Sequence, residues 1–305
     1  MNRSVAPSPV GFIGVGSMGS GMACNLMKEG FPLLAYDTNG EALDRIVRCG
    51  ARTAESLTRV GGICERIILM LPDTRVVETV LLGDEGLKPQ LKAGHIIIDC
   101  GTTHPDFTRE ASRILGDLGV HFLDAPCSGM SSRAADGTLT LMVGGDKGAF
   151  HAVEPFLNAM GSSIYYMGAS GNGQLAKIVN NTLFNISCAA MAELLPLAVR
   201  VGLDAEKICE AVMNGSGQSY GFDTFAPLVL ERNFGPGYPM ASARKDMDAI
   251  TGILEEEGMK LPVVAAAADT FQAALNQGMG NLNKGAMTRV WEAVLGVKVQ
   301  KAPHG

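Results

Sequence analysis

The sequence predicts an α/β protein with an N-terminal Rossmann-type doubly wound sheet, a long interdomain helix and an all-α C-terminal domain. Up to about residue 170, short continuous apolar segments alternate with helical patterns, which is typical of a mainly parallel sheet covered on both faces. From Gly171 onward nearly every segment has helical spacing. We therefore expect a dinucleotide-binding domain over residues 1–170 and a helical substrate and oligomerisation domain over residues 171–305.

The alternation can be followed along the chain. Strands are expected at residues 10–15, 33–37, 66–71, 95–99, 120–126, 138–145 and 163–168. Helices are expected after the first glycines and then at residues 41–49, 74–82, 105–118, 147–160, 170–196, 203–214, 242–257, 262–278 and 284–295. The turn-rich segments 214–227 and 231–240 are expected to be loops.

Composition argues against a nucleic-acid-binding, membrane-spanning, secreted or metal-binding protein. The 305 residues carry a net charge of −6 without long charged runs, which argues against nucleic acid as the main partner. No apolar run reaches the length of a membrane span, and the apolar start is broken by glycines, so it is interpreted as a strand rather than a signal peptide. Seven scattered cysteines without a CxxC pattern suggest reduced thiols in the cytoplasm. The five histidines lack metal-ligand spacing, so no metal is expected.

A glycine fingerprint predicts the cofactor site. Gly14, Gly16 and Gly19 form a GxGxxG pattern, with Ser17 and Met18 inside it, between a strand and a helix. Such glycines allow a tight turn, close approach of the backbone to a pyrophosphate, and helix–strand packing. Asp37 ends the next strand, where a carboxylate accepts hydrogen bonds from ribose hydroxyls and repels a 2′-phosphate. Because no arginine follows at residues 38–40, NAD is favoured over NADP.

Two further loops follow predicted strands and are expected to border the cofactor, since ligands bind beyond the carboxyl ends of parallel strands. The first contains Leu71 and Pro72. The second contains Thr102 and Thr103, which are candidates for the nicotinamide or its ribose. For Thr103 a purely structural role in the turn before Pro105 is nearly as good an explanation.

The long central helix carries an unusual polar stripe. Lys177, Asn181 and Asn185 follow each other at four-residue steps in an otherwise apolar segment, so they share one helical face. Hydride transfer requires a group that manages the proton on the substrate oxygen, and no histidine has an evident acidic partner. Lys177 is therefore the candidate general acid/base. Desolvation, or a nearby positive charge such as Lys245, would lower its pKa from the ordinary value of about 10.4.

The turn at Ser128 and Gly129 is a candidate site for a substrate carboxylate, because consecutive backbone amides in a turn can bind an anion. An ordinary tight turn explains the same residues. Arg133 is either exposed or placed to bind a second anionic group.

Seven motifs together resemble the β-hydroxyacid dehydrogenase family, which includes 3-hydroxyisobutyrate dehydrogenase and tartronate semialdehyde reductase. In family order and spacing they are GFIGVGSMGSGMACNL, MLPD, DCGTTHP, DAPCSG, GTLTLMVGG, GNGQLAKIVNN and ARKDMDAI. The resemblance implies that Lys177 is the general acid/base, that Asn181 helps to hold the substrate, and that Ser128 and Gly129 bind its carboxylate.

The resemblance also implies roles in the helical domain and an assembly. Lys245 and Asp246 are expected to close the site over the cofactor, and Tyr220 and Phe225 to border the substrate pocket. Family members pack their helical domains between subunits, which implies a homodimer or homotetramer. The expected reaction transfers a hydride between NAD(P) and a small 3-hydroxy acid or its semialdehyde. An imine reductase-like enzyme and a non-catalytic dinucleotide-binding module are alternatives, although both would be expected to lack Lys177.

Three positions depart from the family pattern, and the first two of these departures alter the substrate loop and the nicotinamide contact. Met130 stands where a second glycine is common, with Ser132 and Arg133 following where residues are often small. Gly101 replaces a usual serine, and Cys127 a usual valine. We therefore count Met130 and Arg133 among the substrate-binding candidates and expect the substrate to differ from the namesakes of the family branches.

Overall fold

The computed structural model describes residues 8–235 and 239–301 and divides the chain into two compact units, Met1–Lys177 and Ile178–Gly305. The division falls inside a single long helix, whereas the sequence pattern placed it at residues 170 and 171. Each unit has its own hydrophobic core.

The first unit alternates strands and helices as the sequence predicts. Its strands are β1 Val10–Ile13, β2 Leu33–Tyr36, β3 Arg52–Thr53, β4 Arg66–Leu69, β5 Ile96–Asp99, β6 His121–Asp124, β7 Cys127–Ser128, β8 Leu139–Gly144 and β9 Gly161–Gly168. Its helices are α1 Gly19–Lys28, α2 Gly40–Arg48, α3 Leu57–Ile63, α4 Thr74–Leu82, α5 Pro105–Gly116, α6 Met130–Asp136 and α7 Lys147–Met160, with a 3₁₀ turn at Lys88–Gln90. Helix α8, Asn172–Arg200, begins in this unit and continues into the second.

The sheet is doubly wound over most of its width. In the part of the chain that the structure describes, the strand order is β3-β2-β1-β4-β5-β6-β8-β7, with β9 beside β8. Strands β1 to β6 pair in parallel. Neighbouring residues such as Ile67 and Ile68 belong to separate core clusters, because successive side chains of a strand point to opposite faces. The prediction of a mainly parallel sheet with both faces buried is confirmed.

The far edge of the sheet differs from the simple alternation. Strand β8 runs antiparallel to β6 and to the short strand β7, and it pairs in parallel with β9. Strand β7 and helix α6 lie where the sequence suggested only a turn. Both are very short, and segments of this length give no readable periodicity.

The second unit is helical, as predicted. After α8 it contains α9 Ala205–Met213, α10 Tyr220–Leu230, α11 Met240–Glu256, α12 Pro262–Asn276, a 3₁₀ turn Lys284–Met287 and α13 Thr288–Leu295. Its core includes Cys188, Phe225 and Phe271, all at most 1 % exposed. The predicted helix over residues 284–295 is thus split into a 3₁₀ turn and a shorter α-helix.

The loop predicted over residues 214–227 is wrong in its second half. Ser219 caps a helix by accepting a hydrogen bond from the backbone N–H of Phe222, and α10 begins at Tyr220. The glycine and proline in this segment suggested a loop, but burial of Phe222, Phe225 and Val229 stabilises the helix and outweighs weak local propensity. Of the second predicted loop, 231–240, residues 236–238 lie outside the described part of the chain and α11 starts at Met240.

Helix α8 differs from the expectation that no segment is long and apolar enough to span a membrane. Among the described residues it is the one helix long and apolar enough to cross a bilayer, with a mean hydropathy of 1.6 over its most apolar window. Length and composition alone give this result, and 44 % of that window is buried within the protein. The core helix of a folded protein passes the same test.

Gly173, in the first turn of α8, tests how tightly this helix packs on the sheet. An added Cβ would meet the carbonyl oxygen of Met142 and lie 2.8 Å from that of Asp124. Because both obstacles are backbone atoms, we expect Gly173→Ala to lower the free energy of unfolding by about 1–3 kcal/mol. Denaturant titration measures this.

The matched control is Gly116→Ala at the exposed end of α5, where an added Cβ meets nothing within 4 Å. This variant should be neutral or stabilised by up to about 1 kcal/mol, because alanine favours a helix over glycine. Equal effects of the two substitutions would contradict close packing at Gly173.

Candidate active site

Eight of the predicted cofactor residues line one cleft of about 510 Å³ at the carboxyl ends of β1, β2 and β4, whereas Thr102 is not among its lining residues. Of the sequence candidates it contains Gly14, Gly16, Ser17, Met18, Gly19, Asp37, Leu71 and Pro72. It also contains residues that the motif analysis did not single out, namely Ile13, Tyr36, Thr38, Met70, Val76 and Val80. Most of these adjoin a predicted residue in sequence, so reading each motif one or two residues further would have found them.

The glycines fit a bound pyrophosphate. Gly14 has φ 91°, and an added Cβ there would meet the carbonyl oxygen of Met70. A Cβ on Gly19 would meet the carbonyl oxygen of Gly14, so this glycine allows the loop to pack closely on the start of α1. Gly16, in contrast, has nothing within 4 Å of an added Cβ. The loop therefore presents bare backbone to the cleft beside a helix N-terminus, the arrangement that holds a dinucleotide phosphate.

Asp37 has a structural role that the sequence did not suggest. Its Oδ2 accepts a hydrogen bond of 2.8 Å from the backbone N–H of Val15, inside the glycine loop, and its Oδ1 accepts one of 2.8 Å from Asn39. Each carboxylate oxygen has a second lone pair, so these bonds orient the side chain while leaving capacity for ribose hydroxyls. Asp37 thus links the glycine loop to the end of β2.

The start of α8 is anchored by a buried carboxylate. Asp124, at the end of β6 and 0 % exposed, accepts hydrogen bonds from the backbone N–H groups of Gly171 at 2.8 Å and Gln174 at 3.0 Å. The Gln174 amide belongs to the first turn of the helix and the Gly171 amide directly precedes it. At a helix N-terminus N–H groups lack partners within the helix and a negative charge is favoured. Burial raises the pKa of Asp124, and the backbone hydrogen bonds oppose this shift.

Gln174 provides a second link between α8 and the sheet. Its side chain is 0 % exposed, accepts a hydrogen bond of 3.0 Å from the N–H of Thr103 and donates one of 2.9 Å to the carbonyl of Gly101. Thr103 also donates through its hydroxyl to Asp99. The structural interpretation of Thr103 is therefore supported, whereas Thr102 is exposed, and its contact with a cofactor stays a prediction.

Lys177 lies one turn further along α8, in the same unit. Its positive charge acts on the thiol of Cys127, where it opposes the rise in pKa that burial causes. Cys127 directly precedes Ser128 in β7. The first unit therefore brings the candidate general acid/base close to the strand that carries the candidate carboxylate-binding turn.

The backbone around Gly129 gives a physical reason for the glycine that the family commonly has at the position of Met130. Gly129 has φ 140°, and an added Cβ would lie 2.8 Å from the Cβ of Arg133. Met130 has φ 62°, a left-handed conformation that favours glycine. The position at which the family commonly has a second glycine is thus one where a side chain is conformationally costly. Arg133 donates a hydrogen bond to the carbonyl of Thr138 just beyond its own helix, and its binding of a second anionic group stays a prediction.

The second unit contains an aromatic cluster next to predicted substrate residues. The ring of Phe184, on α8, lies 5.8 Å from that of Tyr220 and 6.1 Å from that of Phe225. Tyr220 is 51 % exposed, as a ligand contact requires, but Phe225 is 1 % exposed and belongs to the core. The structure therefore gives Phe225 a packing position behind Phe184 rather than a surface one.

A buried lysine accompanies this cluster. Lys284 is 1 % exposed, donates a hydrogen bond of 2.6 Å to Oδ1 of Asn185, and lies 3.8 Å above the ring of Phe184. Asn185 in turn donates to the carbonyl of Ala243 on α11. The sequence indicates Asn185 as part of the polar stripe. It does not indicate that Lys284 is buried, because the segment around this lysine has an ordinary composition.

The remaining helical candidates lie on α8 and α11 within the same unit. Asn181 is half-buried and accepts a hydrogen bond from the side chain of Asn180. Asp246 is 7 % exposed, whereas its neighbour Lys245 is exposed. Roles of these residues in binding substrate or cofactor stay predictions. No cluster of potential metal ligands occurs among residues 8–235 and 239–301.

Comparison with known proteins gives a family for each part of the chain. Residues 9–168 match the NAD binding domain of 6-phosphogluconate dehydrogenase, and residues 171–291 match the family described as NAD-binding of NADP-dependent 3-hydroxyisobutyrate dehydrogenase. The chain belongs to the β-hydroxyacid dehydrogenase family. It is an NAD(P)-dependent oxidoreductase, in agreement with the resemblance of its seven motifs.

The similarity to individual relatives extends over nearly the full length. The chain is 34 % identical to 2-(hydroxymethyl)glutarate dehydrogenase of Eubacterium barkeri, covering 95 % of this chain and 97 % of the relative. It is 31 % identical to 2-hydroxy-3-oxopropionate reductase of Escherichia coli, covering 95 % and 99 %. A crystal structure of 3-hydroxyisobutyrate dehydrogenase from Salmonella typhimurium superposes with a TM-score of 0.85 at 27 % identity, covering 92 % and 99 %.

Imine reductases share the fold at greater distance. The enzyme from Pseudomonas sp. has a TM-score of 0.60 and 18 % identity over 93 % of this chain and 99 % of its own. At this level of identity the similarity shows the fold alone. The hydroxy-acid relatives are thus more similar in both sequence and structure.

Asp99, which accepts from the Thr103 hydroxyl, provides a pH test of this network. Burial raises its pKa from 3.8 to about 7, the hydrogen bonds from Thr103 and Gly101 oppose the shift, and Asp124 adds to it. Between about pH 4 and pH 7 the folded state therefore binds more protons at Asp99 than the unfolded state. The free energy of unfolding should fall as pH rises through this window, by at most about 1.4 kcal/mol per pH unit.

The measurement compares denaturant unfolding of the wild type and Asp99→Asn across this pH range. The variant cannot titrate at this position, so the fall in stability should be shallower than in the wild type. Asp44→Asn, on the exposed side of α2, is the matched control and should leave the wild-type slope unchanged. Identical slopes in wild type and Asp99→Asn would show that folding does not raise the pKa of Asp99.

Proposed function

We propose that this protein oxidises a small 3-hydroxy acid with NAD, or reduces the corresponding semialdehyde, with Lys177 as general acid/base. The observation that carries the proposal is the placement of Lys177 in the first unit. It lies one turn beyond the N–H groups of Gly171 and Gln174, which donate to Asp124, and its charge acts on Cys127 beside Ser128. The start of the helix that carries Lys177 is thus hydrogen-bonded to the end of β6, and the charge of Lys177 reaches the strand that leads into the candidate carboxylate turn.

The chemistry divides between cofactor and protein. A bound nicotinamide supplies the hydride acceptor or donor. In reduction, protonated Lys177 donates a proton to the carbonyl oxygen as negative charge develops there, and in oxidation the neutral amine accepts the hydroxyl proton. Asn181, one turn further on the same helical face, is proposed to donate a hydrogen bond that holds the substrate.

The substrate class follows from the carboxylate turn and from the relatives. We propose that backbone N–H groups near Ser128 and Gly129 hold the substrate carboxylate, and that Tyr220 contributes to its pocket. The names of the two relatives, 2-(hydroxymethyl)glutarate dehydrogenase and 2-hydroxy-3-oxopropionate reductase, both describe small carboxylic acids. Met130, which stands where the family commonly has a glycine, supports a substrate distinct from either.

NAD is the proposed cofactor in preference to NADP. Asp37 lines the cleft with its carboxylate fixed by the glycine loop, and a negative charge there repels a 2′-phosphate. Residues 38–40 contain no arginine that would hold this phosphate.

We also propose a cytoplasmic location, which the seven free cysteines support.

The test is a steady-state assay of hydroxy acids and semialdehydes, with NAD and NADP, using wild type and Lys177→Ala. We expect activity on a three-carbon to six-carbon 3-hydroxy acid with NAD, and a loss of at least roughly a hundredfold in kcat in the variant, the usual size of a general acid/base contribution. Binding of NAD, followed by fluorescence titration, should be nearly unchanged, because Lys177 is not among the residues that line the cofactor cleft.

Two controls sharpen this experiment. Lys207→Ala removes an exposed lysine from α9 and should keep full kcat. Added alkylamines should restore part of the activity of Lys177→Ala, since a free amine can replace the missing proton donor. Near-full activity of Lys177→Ala would remove the proposed mechanism, whereas NAD binding without turnover of any substrate in the wild type would favour a non-catalytic binding module.

We further propose that the protein is a homo-oligomer assembled through an exposed apolar stripe. On α8 and just beyond it, Val179, Leu183, Leu194, Leu197 and Val201 are 44–68 % exposed and recur at intervals that keep them on one side of the helix. A contiguous exposed apolar surface of this kind is typical of a protein–protein interface. A second copy of the chain is the proposed occupant, in line with the helical packing between subunits that the family resemblance implies.

This proposal predicts that Leu194→Glu weakens the assembly. A carboxylate in the middle of a buried apolar interface lacks a partner, so the subunit dissociation constant should rise at least tenfold. Analytical ultracentrifugation measures it. Leu118→Glu, an exposed leucine elsewhere on the surface, should leave the mass unchanged, and a wild type that is monomeric at micromolar concentration would contradict the proposal.

A further inference from the structure

Two cysteines of the first unit lie side by side at its surface. Cys24 is on α1, and Cys49 follows α2 as its C-terminal cap. The sulfur atoms are 2.7 Å apart, with the Cys24 thiol donating toward the Cys49 sulfur. Cys24 is half-buried and Cys49 is exposed, whereas the other five cysteines are buried.

The arrangement brings the two thiols within easy reach of a covalent bond. A disulfide has a sulfur–sulfur length of about 2.05 Å, so the sulfurs need to move together by less than about 1 Å. The two residues are 25 positions apart in the sequence, and their proximity therefore results from packing of α1 against α2 rather than from local chain geometry. In the sequence the seven cysteines are scattered, and nothing in their spacing indicates this pair.

We propose that Cys24 and Cys49 form a redox-active pair, which a peroxide converts into an intramolecular disulfide and an external dithiol returns to two thiols. The pair lies outside the cofactor cleft and the candidate catalytic residues. The proposal is therefore independent of the proposed enzymatic reaction.

The conversion balances in two steps. The Cys49 thiolate attacks one peroxide oxygen, the O–O bond breaks, and Cys49 becomes a sulfenic acid. The other oxygen leaves as hydroxide or alkoxide and takes up the proton that Cys49 released on ionising, which gives water or an alcohol. The Cys24 sulfur then attacks the Cys49 sulfur. The S–O bond breaks, the hydroxide takes the Cys24 proton and leaves as water, and the disulfide forms. The pair loses two electrons and two protons in total, and the peroxide is reduced.

The environments of the two sulfurs indicate that Cys49 reacts first with the peroxide and Cys24 second. Cys49 is exposed and can meet the oxidant. Burial, followed by the hydrogen bond with Cys49, raises the pKa of Cys24 to about 12, so its thiol is a poor first nucleophile near neutral pH. Its position beside Cys49 suits the second step, in which a neighbouring thiol captures a sulfenic acid before further oxidation.

The bond would also connect two segments that form the cofactor cleft. Helix α1 begins at Gly19, and α2 begins just after Asp37 and Thr38. A link between Cys24 and Cys49 encloses β2 and Asp37 in a covalent loop. Because such a loop restricts the unfolded chain, we expect the oxidised protein to melt at a temperature higher by roughly 5 °C or more.

The experiment treats the full-length protein with hydrogen peroxide, quenches it, and counts thiols after denaturation. The reduced chain has seven thiols, and formation of one disulfide leaves five, as 7 − 2 = 5. Mass spectrometry should show a loss of about 2 Da and a peptide that links Cys24 to Cys49, both reversed by dithiothreitol. Thermal melting of the two forms checks the expected stabilisation.

Single variants provide the controls. Cys49→Ser removes the exposed thiol and should abolish the loss of two thiols. Because Cys49 is exposed, we expect this variant to fold like the wild type. In Cys24→Ser the sulfenic acid at Cys49 has no neighbour, so continued peroxide should drive it to sulfinic and sulfonic acids that dithiothreitol does not reverse. Irreversible oxidation of Cys49 in the wild type, a disulfide between two chains, or seven thiols after treatment would each overturn the proposal.

Discussion

The buried carboxylate of Asp124 holds together the parts of the first unit on which the candidate chemistry depends. It ends strand β6 and accepts hydrogen bonds from the amide of Gly171, just before α8, and from that of Gln174 in the first turn of α8. A charge in this position is stabilised by the helix N-terminus, while its desolvation is costly without such partners. Gln174 joins the same turn to the segment after β5. Together these contacts fix the start of the helix that presents Lys177 and, further along, the polar stripe.

Much of the fold was predictable because it depends on repeated, periodic signals. Strands such as β4 and β5 are continuous apolar segments, and the helices between them show helical spacing, so the parallel sheet could be inferred. The far edge of the sheet could not be inferred, because β7 contains only two residues and therefore shows no hydrophobic periodicity. Helix α10 was missed for another reason: Gly221 and Pro227 suggest a loop, while the burial of Phe225 that stabilises the helix depends on residues distant in sequence.

The candidate site shows a similar division. That the glycine loop and Asp37 lie together could be predicted from sequence, because their spacing is the one with which a strand, turn and helix hold a dinucleotide, and both line one cleft. The roles of Asp99, Asp124 and Gln174 could not, because each depends on contacts between segments far apart in the chain. Met130 is an intermediate case. The sequence marks it as a departure from the family pattern, and only the structure shows that its backbone is left-handed, which accounts for the family's usual glycine and leaves the methionine without a structural explanation.

Helix α8 has a consequence for dissecting or recombining this protein. Its first turn is bonded to the sheet, while Cys188, Met191 and Leu195 further along belong to the helical core. A junction made in the glycine-containing segment just before Asn172 would leave Asp124 buried without its amides. A junction made after Arg200 would leave the helical core without one of its walls. Chimeras that exchange helical units between relatives should therefore be joined within the helix, close to the division after Lys177, with the helical register preserved.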